Sequence, residues 1–151
     1  MADLSELKNQ ILFEDIDAGG IEKIASTVKE LSLKKGEHLF KEGEDTKGIY
    51  LIKSGKIEIS KVTADGWKQT LALFLDGHFF GELSLLEKRS HEANATALEN
   101  TVLFLMTKED FERMQSENPS LAFQIIKKIA LVMSKNLRRM NEKFLNALIN
   151  Y

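Results

Sequence analysis

Gly77-His78-Phe79-Phe80-Gly81-Glu82-Leu83-Ser84-Leu85-Leu86, continued by Glu87-Lys88-Arg89-Ser90 and His91-Glu92-Ala93-Asn94-Ala95-Thr96-Ala97, is the stretch whose reading decides the fold. Two glycines bracket an aromatic pair; a carboxylate, an apolar turn, a charged loop and a run of alternating small residues follow. Gly81 lets backbone approach a bound group with no Cβ in the way. Glu82–Leu86 is long enough for one helical turn, whose first N–H groups lack partners within the helix and favour an anion. The pattern therefore predicts a small phosphate pocket with a carboxylate at its lip.

Phe80-Gly81-Glu82-Leu83-Ser84-Leu85-Leu86, a loop and an Ala-rich strand resemble the phosphate-binding cassette of cyclic nucleotide-binding domains. That family includes domains of bacterial catabolite activator proteins, kinase regulatory subunits and gated channels. Its motif reads Phe-Gly-Glu-Leu-Ala/Ser-Leu, a loop, then Pro-Arg-Ser/Ala-Ala-Thr-Val. The resemblance implies that Glu82 takes a ribose 2′-hydroxyl and that the residue at the arginine position meets the cyclic phosphate. Aligned without a gap on Gly81 and Ala93, that position is His91. Ser90 stands for the proline, Glu92 for the following small residue and Asn94 for the threonine.

An arginine–phosphate bond contributes about 1.5–3 kcal/mol, or about ten- to a hundredfold in affinity. An imidazole is only partly charged near neutrality and has no planar fork, so phosphate capture is expected to be weaker. Glu92 adds a negative charge beside the phosphate unless only its backbone faces inward. Arg89 and Lys88 are near enough in sequence to substitute if the loop folds back.

The 151 residues are 43% hydrophobic, which is sufficient for one domain with a sizeable core. The absence of cysteine excludes a disulfide framework and a thiolate metal site. A net charge of −2 argues against non-specific nucleic-acid binding. Met1–Gln10 is mixed polar, and no apolar run is long enough to span a bilayer. The expected setting is soluble and cytoplasmic.

Leu4, Leu7, Ile11 and Leu12 recur at helical spacing, Gly19-Gly20 interrupts the pattern, and Ile21, Ile24, Ala25 and Val28 begin a second helix. Short alternating runs between glycines then extend from about Val28 to Leu105. Lys35-Gly36-Glu37 and Ser54-Gly55 mark turns, and Asp65-Gly66 is a hairpin signal. Leu71, Leu73 and Leu75 share one face of a strand; His91–Leu98 and Thr101–Met106 complete the series. Regular short strands predict a jelly-roll-like β-roll, a double-stranded β-helix. The fold class is therefore mainly β with flanking helices. One domain spans 1–151, with N-terminal helices over 1–28, the β-roll over 29–106 containing the cassette at 80–97, and C-terminal helices over 107–151.

Thr107-Lys108-Glu109-Asp110 reads as a capping box, and Asn118-Pro119 ends that helix and starts another running to about Asn150. Ile126, Ala130, Met133, Leu137, Met140, Phe144, Ala147 and Tyr151 follow four–three spacing, a heptad seam. A second stripe, Leu121, Ile125, Ile129 and Val132, is suited to docking on the roll. A parallel homodimer through Met133, Leu137, Met140 and Phe144 is expected, the alternative being a helix folded back along its own domain.

Catalytic readings are weak. The three histidines, His38, His78 and His91, form no His-x-His metal motif, and Ser84 lies outside any Gly-x-Ser-x-Gly elbow. The expectation is no enzyme, no catalytic residue and no metal. The resemblance implies a regulatory module binding cyclic AMP or cyclic GMP (cAMP or cGMP) through Phe80, Gly81, Glu82, Leu83, Ser84, Arg89, His91, Glu92 and Ala93, with Asn141 reaching the adenine. Glu82 also has a structural reading as a helix-start carboxylate, and His91 one as a surface residue. No residues remain after the last helix for a helix-turn-helix, so this chain alone is not expected to read DNA. Two functions stay open: a cyclic nucleotide sensor, or a degenerate fold serving as a dimerisation or docking scaffold. A pocket altered to take another small anion is a third.

Overall fold

The computed structural model describes residues 2–150. Among the described residues, eight short strands form two antiparallel four-stranded sheets. The strands are β1 (Lys29–Leu33), β2 (His38–Phe40), β3 (Gly48–Ser54), β4 (Lys56–Val62), β5 (Lys68–Leu75), β6 (Phe79–Phe80), β7 (Asn94–Ala97) and β8 (Thr101–Thr107). One sheet has the order β1-β8-β3-β6 and the other β2-β7-β4-β5. Helices α1 (Leu4–Lys8) and α2 (Ala18–Ala25) precede the strands; α3 (Lys108–Glu117) and α4 (Pro119–Ile149) follow them. This is the predicted β-roll with N-terminal helices and a long C-terminal helix.

Two-residue periodicity makes two cores from the same strands. On β3 and β8, Tyr50, Ile52, Leu103 and Leu105 point into the roll, where they meet Phe40, Ile57, Phe80, Ala95 and Ala97. Their alternates Ile49, Leu51, Phe104 and Met106 point outward and are covered by Leu7, Phe13, Ile24, Phe111, Leu121 and Ile125 from the helices. Both faces of β3 are thus buried, which is why Gly48–Ile52 contains no exposed residue.

The glycine pair does not break a helix. Gly19 and Gly20 lie in the first turn of α2, where the Asp17 carboxylate accepts from the Gly20 N–H at 2.8 Å. An N-cap supplies the acceptor that the first helical N–H groups lack, so the helix starts here despite two poor helix formers. The break falls earlier, between α1 and a 3-10 turn at Ile11–Phe13.

The leucine face of β5 is also placed differently from what a core stripe requires. Leu71, Leu73 and Leu75 share a face, and it is the solvent face, with exposures of 56%, 54% and 48%. Pairing decides this: β4 sets Ile57 opposite Phe74 and Ile59 opposite Ala72, so Ala72 and Phe74 turn inward. The strand after the cassette begins at Asn94 rather than His91.

The Thr107 hydroxyl accepts from the Asp110 N–H at the start of α3, at 3.1 Å, and Asn118 caps α4 through the Leu121 N–H. Along the first three turns of α4, Leu121, Ala122, Ile125 and Ile129 are buried against the helical core, with Val132 half-buried. Each buried aliphatic side chain contributes about 1.5–3 kcal/mol. Lys128 ties the same segment to Asp15 at 2.7 Å and to Glu14. Ile126 also packs toward this core. Beyond it, Met133, Leu137, Met140 and Phe144 are exposed at 39%, 58%, 66% and 65%. α4 has 31 residues, so it is about 46 Å long at 1.5 Å per residue. Tyr151, the last residue of the predicted seam, lies outside the described residues.

Candidate functional site

The site starts with a backbone reversal. After β6, Gly81 adopts φ 78° and ψ 22°, a left-handed conformation that costs an L side chain about 1–2 kcal/mol. A Cβ here would lie 3.2 Å from the Gly48 carbonyl oxygen, so β3 also restricts the position. The chain then forms one 3-10 turn, Glu82–Leu85, rather than an α-helical one; the Ser84 N–H donates to the Gly81 carbonyl at 3.1 Å. Among the described residues no backbone carbonyl outside the turn accepts from the Glu82 or Leu83 N–H.

The second half of the cassette is fastened to the loop after β2. The His91 N–H donates to the Glu44 carbonyl, and the Gly43 N–H to the His91 carbonyl, both at 2.8 Å. The Thr46 N–H donates to the Arg89 carbonyl at 2.9 Å, and the Arg89 N–H to the Thr46 hydroxyl at 3.3 Å. These bonds hold the loop so that Arg89–Ala93 faces the Gly81–Ser84 turn across a cavity of about 310 Å³.

Its walls are mostly apolar: Phe40, Ile59, Ala72, Phe74 and Phe80. The Phe80 ring lies 5.2 Å from Phe74 and 5.5 Å from Tyr50, centroid to centroid. Burial pushes the Tyr50 phenol up to about 12, helped by the nearby Glu44 charge, so it stays protonated.

Nine predicted residues line this cavity: Phe80, Gly81, Glu82, Leu83, Ser84, Arg89, His91, Glu92 and Ala93. Asn141 does not; it lies on the exposed distal half of α4. Helical periodicity carries no information about how far that half stands from the roll.

His91 is not a surface residue. It is 9% exposed, and its ring stacks on Phe40 with centroids 3.4 Å apart and planes 4° apart. Its Nε2 is buried without a hydrogen-bond partner. Burial holds the imidazole below its ordinary range; Glu44 opposes this and Arg89 adds to it. His91 is therefore a neutral ring near neutral pH. The guanidinium at the rim belongs to Arg89, which bonds Glu92 Oε1 at 2.9 Å and Glu87 Oε1 at 3.4 Å. Among the described residues no side-chain hydrogen bond engages the Glu82 carboxylate, and no three His, Asp or Glu side chains converge as a metal site.

Sequence reading missed Phe40, Thr46, Ile59, Ala72, Phe74 and Ser90 as lining residues. The period-two alternation of β5 contains a signal for Ala72 and Phe74, which share the face opposite Leu71, Leu73 and Leu75.

A glycine-entered turn thus faces a loop across the mouth of a two-sheet β-roll. The chain belongs to the cyclic nucleotide-binding domain family, whose model, "Cyclic nucleotide-binding domain", matches residues 30–118. It is 28% identical over 132 residues to the cyclic AMP receptor protein of Thermus thermophilus, covering 87% of this chain and 59% of that protein. It is 32% identical over 130 residues to the anaerobic regulatory protein of Bacillus subtilis, covering 85% and 53%. The crystal structure of the N-terminal domain of a transcriptional regulator from Streptomyces coelicolor superposes with a TM-score of 0.76 at 25% identity, covering 92% of this chain and 94% of that one. The chain spans between half and three-fifths of the length of these two curated relatives. It is homologous to their sensor portions, and the family is one of regulatory sensor domains. No helix among the described residues is long and apolar enough to cross a membrane.

Proposed function

We propose that this domain is a non-enzymatic regulatory sensor that binds a cyclic nucleotide, cAMP or cGMP, in the cavity between the Gly81–Ser84 turn and Arg89–Ala93. The observation that carries the reading is the combination on one cavity wall of a left-handed Gly81, two N–H groups without outside carbonyl partners and the uncommitted Glu82 carboxylate. Glu82 accepts from the ribose hydroxyls. The turn and Arg89 meet the phosphate, and the aromatic walls take the base. Binding favours one of two arrangements of the cassette relative to α4. Two copies pair in parallel through Met133, Leu137, Met140 and Phe144, whose exposure on one protomer supports a shared seam. On this reading Asn141 of α4 reaches the base only in such a ligand-bound pair.

A second reading is supported by a specific observation. A neutral His91 lies flat against Phe40 where the family has an arginine, and Arg89 is already paired. This favours a roll that has lost its nucleotide and acts as a scaffold. Isothermal titration with cAMP and cGMP, alongside thermal melts, separates the two. A sensor is stabilised by about 2.7 kcal/mol at a ligand concentration of 100 Kd. A melting curve unmoved by millimolar levels of either nucleotide, with no heat of binding, leaves the scaffold.

A further inference from the structure

Among the described residues the cavity rim carries one guanidinium, and a carboxylate of the chain itself already occupies it. Arg89 Nη2 bonds Glu92 Oε1 at 2.9 Å, while the Nη1 contact to Glu87 is longer, at 3.4 Å. Arg89 and Glu92 both line the cavity; Glu87 does not. The backbone of Arg89 is clamped to Thr46 from both sides, at 2.9 and 3.3 Å, so the guanidinium starts from a fixed point at the rim. Against this single cation the cavity sets the carboxylates of Glu82 and Glu92.

We infer that Glu92 determines the affinity and charge preference of the cavity by holding the Arg89 fork that an incoming phosphate needs. The inference rests on the sensor reading above. A guanidinium donates to carboxylate and phosphate through the same planar geometry, so the two compete for the same N–H groups. An exposed ion pair is weak by itself, and the Glu92 side chain is 78% exposed. A phosphate therefore displaces it, but the displaced carboxylate stays beside the site and repels the same charge. Glu92 thus weakens anionic ligands and leaves neutral ones untouched, which makes it a specificity determinant.

The test is isothermal titration of the full chain as wild type, E92Q, R89Q and the double variant. The probes are cAMP, cGMP and the uncharged nucleosides adenosine and guanosine. Melting curves confirm that all four proteins are folded. E92Q is expected to tighten the cyclic nucleotides about tenfold and to change the nucleosides by less than about twofold. In the R89Q background only the repulsion by Glu92 is relieved and no fork remains to be released, so the gain shrinks below about threefold. Equal gains in both backgrounds, equal gains for the nucleosides, or no tightening in E92Q would overturn the inference. Wild type that binds cyclic nucleotide and does not respond to E92Q sinks this inference alone. Four folded proteins that all ignore both cyclic nucleotides sink the sensor reading with it, whereas binding that emerges only in E92Q supports both.

Discussion

Replacing His91 by arginine is expected to tighten cyclic nucleotide binding about ten- to a hundredfold and to weaken the ligand-free fold. The gain follows from chemistry: a fixed cation replaces a ring that burial keeps neutral. A charge-assisted bond to phosphate is worth about 1.5–3 kcal/mol, against none from a neutral ring whose Nε2 is buried. The cost follows from position. His91 is 9% exposed with Phe40 against its face at 3.4 Å. A guanidinium retains part of that stacking, about 0.5–2 kcal/mol as a cation–π contact. With no anion present its charge is held in a poorly solvated place, and about 1–3 kcal/mol of folding stability is lost. Ligand returns it: at 100 Kd the bound state regains about 2.7 kcal/mol. Urea unfolding with and without nucleotide reads the stability, and isothermal titration reads the affinity. A variant as stable as wild type that binds no more tightly would refute the assignment of this position to the phosphate.

Three further outcomes are expected. His91 has a lowered pKa in the fold, so both states are neutral above about pH 6.5; as pH falls the unfolded chain protonates first and stability is lost. Glu44 moderates this and Arg89 reinforces it. Urea midpoints at pH 7.5 and 5.5 should therefore differ less in H91Q than in wild type, and equal differences would show that His91 contributes nothing. Gly55→Ala is expected to cost about 2–5 kcal/mol, from left-handed strain plus overpacking. Gly55 has φ 118°, and a Cβ there would lie 2.3 Å from Thr101 Oγ1 and 2.7 Å from Thr101 Cα. A urea midpoint close to wild type would rule out that close approach. Leu137→Asp should leave the folding stability of the single copy within about 0.5 kcal/mol, because Leu137 is exposed on the protomer. Sedimentation velocity should show the pair falling to single copies, and an unchanged mass would remove α4 from the interface.

Much of the site was legible because its elements are local. Phe80-Gly81-Glu82-Leu83-Ser84 needs only a left-handed residue followed by a turn, and adjacent residues encode both. The helix starts at Thr107 and Asn118 are local in the same way, each a side-chain acceptor for an N–H three residues on. His91 shows the limit. Its neutral state comes from burial, with a ring from β2 stacked on it, and is opposed by a carboxylate from the following loop; neither group is near it in sequence. Arg89 is similar: its nearness in sequence said nothing of whether it was free, and Glu92 and Glu87 hold it.

By itself the sequence determined the order of short strands and glycine turns, the cassette between Phe80 and Ala97, and two apolar stripes on the last helix. These are matters of period and backbone preference, which neighbouring residues control. Only the tertiary structure decided which face of β5 turns inward, since alternation has a period but no direction until Ile57 meets Phe74. It also decided the charge of the cavity, because burial and partner distance set ionisation, and both arise only when distant segments pack together.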